Sequence, residues 1–151
     1  ALRERLAALS PERVYAPLGY GGHVDHVLAR EAALRAVPRA LLHFYEDAPY
    51  CLASASGSRN GLTAPFLALL SVARRMNPTA FRLEAGALPL RPVLADVGTT
   101  VALKMAGIET YASQARQFFR AGDGIRVALA AYSRAVPGGR LAWAERYWSP
   151  T

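Results

Sequence analysis

The stretch "VYAPLGYGGHVDHVLAREAAL", Val14 to Leu34, constrains the fold more than any other part of the chain. A short β-prone run ("RVYAP") leads into a turn rich in glycine. A helical pattern follows, with Val27, Leu28, Leu34 and Val37 on one stripe and Pro38 marking its end. "ALLHFYED" then reads as a second strand that closes in an acidic turn before Pro49. A strand, a helix and a second strand in this order form a βαβ unit, whose strands run parallel. The expected class is therefore α/β, a Rossmann-like, mainly parallel sheet with flanking helices. In such sheets ligands bind beyond the carboxyl ends of the strands. The Gly19–His26 turn and the "YEDAPY" turn both lie at that kind of place.

The remaining elements are read more coarsely. Leu2, Leu6 and Leu9 have helical spacing, so the sequence starts inside a helix that should stop near Ser10-Pro11. "ASASGSRNG", from 53 to 61, is a flexible loop by its chemistry. Ala64 to Met76 reads as a helix, and "TAFRLEA" as a weak strand or an extended excursion. Leu94 to Phe119 reads as one long helical stretch, interrupted near Gly107 and broken by "RAGDG". Ile125 to Ala135 is a further helix. Alternation of Leu141, Trp143, Glu145 and Tyr147 with their neighbours marks a late strand. No repeat or linker divides residues 1–151, so a single domain is expected.

With 151 residues, 52% apolar and 19% charged, the chain can bury a real core. Its longest apolar run, from 64 to 73, is too short to span a bilayer. No basic segment, apolar run and small-residue cleavage site open the sequence, so no signal peptide is expected. The single cysteine, Cys51, cannot form an internal disulfide, and the expected compartment is the cytoplasm. A net charge of +7 invites a nucleic-acid partner. The charge is scattered arginine, however, with Lys104 the only lysine and no helix-turn-helix, zinc finger or aromatic RNA motif beside it. No nucleic-acid partner is expected.

The polar residues of the turn, His23-Val24-Asp25-His26, admit four readings. A phosphate cradle fails on spacing: neither G-x-G-x-x-G nor G-K-[ST] is present. A phosphohydrolase pair needs His followed directly by Asp, and here the order is Asp25-His26. A metal site is compatible, because residues three apart on a helix lie about 60° apart around its axis. The positive end of a helix also favours a neutral imidazole, the form that binds metal. Against it stands a plain helix start, with His23 or Asp25 as cap. A catalytic zinc wants three protein ligands and a water. His43, the one other histidine, sits in an apolar strand and reads as a satisfied core residue. Spacing alone leaves ligand and cap unresolved.

The same stretch closely resembles the second conserved segment of the PIG-L/LmbE-like deacetylases, zinc-dependent enzymes acting on N-acetylglucosaminyl compounds. "LLHFYEDAPY", "LKMAGIETYASQ" and "WAERYW" resemble later pieces of that family, so the likeness runs along essentially the whole chain. It implies that His26 binds Zn2+, that His23 stands beside the scissile amide and that Asp25 buttresses a histidine. Tyr20, Glu46, Asp47 and Arg59 are the candidates for contact with a small amino-sugar substrate. The family's remaining ligands and its general base come from a His-Pro-Asp-Asp segment, which this sequence lacks. The chain is thus expected to be the C-terminal part of a deacetylase domain, without its N-terminal strand or strands. An exposed sheet edge would then promote self-association into a homo-oligomer. The competing expectation is a non-catalytic sugar-binding or interaction module that keeps the fold without metal.

Overall fold

A computed structural model describes residues 2–52, 61–76, 90–136 and 141–151. Arg59, most of the 53–61 loop and "TAFRLEA" lie outside the described residues. Helix α1 (Leu2–Leu9) ends where Ser10 turns left-handed before Pro11, and β1 (Val14–Pro17) follows. Helix α2 (Val24–Ala36) stops at Val37, whose backbone is extended ahead of Pro38 as pre-proline sterics require. A single 3-10 turn, Arg39–Leu41, delivers the chain into β2 (Leu42–Tyr45). After α3 (Ala64–Met76) come β3 (Leu90–Asp96), α4 (Val101–Thr110), α5 (Ala112–Phe118), α6 (Gly124–Ala135) and β4 (Ala144–Pro150).

The strands form one mixed sheet in the order β1-β2-β4-β3. The expected parallel pairing holds for β1 and β2, in the register Val14 with Leu42 through Pro17 with Tyr45. It does not extend further among the described strands: β4 enters between β2 and β3 and runs antiparallel to both. Leu94 to Asp96 is therefore strand, not the start of a helix. Short apolar runs do not distinguish the two states by period. The tertiary partner decides here, because β3 pairs with β4 along its whole length, Leu90 with Pro150 through Asp96 with Ala144. Pro92 is tolerated because β3 is an edge strand among the described residues. The Asp96 carboxylate then accepts the Gly98 N–H at 2.8 Å, turning the chain into α4. The break in the helical stretch falls at Tyr111 rather than Gly107, which sits inside α4.

Two apolar clusters hold the layers together. One lies between a sheet face and α2, where Ala16, Leu42 and Phe44 meet Ala33 and Val37. The other lies under α3 and α6, around Leu52, Leu62, Phe66, Ala128, Leu129 and Tyr132. Ser133, buried on α6, donates to the Leu129 carbonyl and accepts the Ala144 N–H at 3.0 Å, fastening α6 to β4. No helix among the described residues is long and apolar enough to cross a membrane.

Candidate functional site

The turn after β1 is shaped by its glycines. Gly21 has φ +86°, and a Cβ there would come within 2.8 Å of the Tyr50 side chain. Only glycine combines that backbone with that close approach. Arg30 on α2 donates to the Leu18 carbonyl at 3.3 Å, tying the turn back to the helix it feeds. Gly21 thus serves close packing against Tyr50, while Gly19 lies against Val27.

His23 occupies the N-cap position of α2, with φ −59° and ψ 129°, and makes no side-chain capping bond. The cap reading of this histidine is thereby set aside. Asp25 lies in the first helical turn with its side chain 79% exposed and Oδ2 3.9 Å from His23 Nδ1. That is a long pair with an exposed carboxylate, worth little as a buttress, although His23 Nδ1 itself is buried. His26, one turn along, brings its ring to 5.0 Å from that of His23. The structure therefore gathers both histidines on one side of the helix start.

The acidic turn after β2 separates its two carboxylates. Asp47 is buried, accepts the backbone N–H of Gly19, and sets Oδ2 3.4 Å from His26 Nδ1. Burial pushes its pKa up; His26, the Gly19 N–H and His23 pull in the opposite direction. Glu46 turns the other way. It accepts the Tyr132 hydroxyl at 2.7 Å, Arg146 Nε at 2.6 Å and Trp148 Nε1 at 2.8 Å. Its carboxylate ties α6 to β4, so Glu46 belongs to the framework of the molecule as well as to the wall of a groove.

Tyr50 is the site residue that sequence reasoning missed. Its ring lies 5.9 Å from His23 and 6.1 Å from His26, and burial raises its pKa. The available signal was its position in "EDAPY", within the turn already placed at a strand's carboxyl end. Tyr20 is half-buried against the larger core cluster.

A groove of about 940 Å³ lies elsewhere and is lined by Tyr15, His43, Tyr45, Glu46, Glu145 and Arg146 among others, but by neither His23 nor His26. His43 stacks on Tyr15 at 5.2 Å, and its Nδ1 meets Ser149 Oγ at 2.8 Å. It is a satisfied histidine, as expected, but on a half-open sheet face rather than in the core. Near His26 the fit to a metal is partial. His26 Nδ1 and Asp47 Oδ2 are both buried without a hydrogen-bond partner, as befits an imidazole ligand and its supporting carboxylate. No group of three His, Cys, Asp or Glu able to hold a metal ion occurs among the described residues. A zinc ion there needs donors beyond those described.

Compared with protein-family models, with curated proteins and with solved structures, the chain gives no match in any of the three.

Proposed function

We propose that this chain supplies part of the active site of a zinc-dependent hydrolase, which removes an acyl group from an N-acetylglucosaminyl-type substrate by amide hydrolysis. The sheet and its β1-α2-β2 unit are read, within the same proposal, as part of a Rossmann-like domain. One observation carries the reading. The His23 and His26 rings stand 5.0 Å apart at the start of α2, beyond the carboxyl ends of the parallel strands β1 and β2, against a buried carboxylate. The likeness of "GGHVDH" to the deacetylase segment names the chemistry that such a cluster performs.

In this reading His26 is a zinc ligand, and the other ligands and the general base come from residues outside those described. His26 would help hold the ion, whose Lewis acidity would serve to polarise the amide carbonyl and lower the pKa of water. His23, 41% exposed at the helix start, binds the carbonyl oxygen as charge develops on it or hands a proton to the leaving amine. Tyr50 walls both imidazoles on one side and keeps water from that side of the cluster. Asp25, with its carboxylate exposed and 3.9 Å from His23 Nδ1, bears on that ring only weakly.

Zinc content of the protein expressed from its full reading frame, with and without His26→Ala, tests the assignment. The expected result is zinc bound in the parent protein and lost in the variant. A parent protein without zinc, or a variant that keeps both zinc and deacylation, overturns it. Zinc-free protein that still binds an amino sugar would favour the non-catalytic module instead.

A further inference from the structure

We infer that Asp47 is the positioning residue of His26, holding its imidazole as the Nδ1–H tautomer so that Nε2 keeps the lone pair. Asp25, adjacent in sequence, is not the carboxylate that sets this ring. Two orphaned atoms carry the inference. His26 Nδ1 and Asp47 Oδ2 are both buried, neither has a hydrogen-bond partner among the described residues, and they lie 3.4 Å apart without the alignment of a hydrogen bond. A buried carboxylate oxygen without a donor is costly, and so is a buried ring nitrogen without a partner. A proton on Nδ1 resolves both at once, after a small turn of the ring or the carboxylate brings the pair into hydrogen-bond alignment. A proton on Nε2 would leave two lone pairs opposed.

The carboxylate is itself well held. Its side chain is 4% exposed, the Gly19 N–H donates to it, and its own carbonyl accepts the Cys51 N–H at 2.9 Å. The turn after β1 and the turn after β2 therefore meet at this one residue. His26 presents itself differently: the side chain is 30% exposed while Nδ1 is buried, so its open surface belongs to other atoms of the side chain. An imidazole fixed in this way offers one nitrogen, in one orientation, to an electrophile or metal. Asp25, 79% exposed and paired loosely with His23, lacks every one of these features.

The metal consequence rests on the deacetylase reading; the tautomer does not. Long-range 15N–1H NMR on the full-reading-frame protein, freed of metal and held at about pH 8.5 where an ordinary imidazole is neutral, reads the tautomer directly. Wild-type protein is expected to show His26 as Nδ1–H, Asp25→Ala to keep it, and Asp47→Ala to lose it. Wild-type His26 as Nε2–H, or a tautomer untouched in Asp47→Ala, overturns the inference. Should Asp47→Ala not fold, the wild-type spectrum decides alone. Zinc affinity, measured by competition with a chelator, is expected to fall about 10–100-fold in Asp47→Asn. Unchanged affinity in that variant counts against Asp47. A protein that shows the Nδ1–H tautomer yet binds no zinc supports the positioning role and overturns the deacetylase reading.

Discussion

Glu46 and Asp47 leave the same turn, yet the first serves the framework and the second the histidine cluster. The Glu46 carboxylate is 4% exposed and accepts three donors, from Tyr132, Arg146 and Trp148. Glu46→Ala removes the acceptor and leaves a guanidinium, an indole N–H and a phenol without it. Breaking a buried ion pair costs about 3–5 kcal/mol. Arg146 keeps 22% of its side-chain surface in water, so a loss of about 3 kcal/mol is expected in chemical denaturation. A loss well under 1 kcal/mol would show that the network is dispensable. His43 makes a pH prediction. Burial first, then Arg13 and Arg91, hold its pKa below the ordinary histidine value. A proton is therefore bound more readily by the unfolded chain. Stability is intact above about pH 6.5 and is lost as pH falls through the lower native pKa. His43→Gln removes this loss. Urea midpoints at about pH 7.5 and about pH 5 should move the wild type down relative to the variant. A pH-independent gap refutes it.

At the scale of elements, two glycines in helical surroundings make opposite predictions. Gly61, just before α3, packs against Gly124 and Ala128 of α6, and its carbonyl accepts the Arg120 N–H at 3.0 Å. A Cβ there would clash with the Gly124 carbonyl oxygen and lie 2.5 Å from the Ala128 nitrogen. Neither backbone atom can step aside cheaply, so Gly61→Ala is expected to cost about 3 kcal/mol, the upper end for overpacking. Gly107 lies exposed inside α4 with nothing within 4 Å of an added Cβ. Gly107→Ala should stabilise by about 0.5–1 kcal/mol, since alanine loses less backbone freedom in a helix. Thermal unfolding of the two variants side by side checks both signs. The Gly107 position also explains why a helix break was expected in the wrong place. Composition marks glycine as a breaker, but α4 continues through it to Thr110, whose hydroxyl donates back to the Gly107 carbonyl at 2.6 Å.

For the whole molecule, the sheet has one well-covered face and one that is only partly covered. Ala16, Leu42 and Phe44 are sealed under α2, whereas Tyr15 is 51% and Tyr45 36% exposed beside the large groove. β1 also forms an edge of the described sheet. An edge strand beside exposed aromatics is a template for association. Sedimentation velocity of these 151 residues over a range of concentrations should show self-association, weakened by Tyr15→Lys. A monomer at every concentration would dispose of the prediction.

Local order was legible in the sequence because its causes are local. Proline after α2, glycines after β1 and a 3.6-residue stripe act within a turn or two, and α2, α3, α6, β1 and β2 appear where those cues lie. The pairing of His23 with His26 was legible for the same reason, since helical spacing alone brings residues three apart together. Tertiary structure decided what depends on distant partners. β4 entered the sheet between β2 and β3, which fixed the state of Leu94–Asp96 and made the sheet mixed. Asp47 was brought from the end of β2 to His26, Tyr50 to both imidazoles, and Glu46 to α6 and β4. Which of three nearby carboxylates lies against His26 is set by how two turns pack together, and no spacing rule within one segment carries that information.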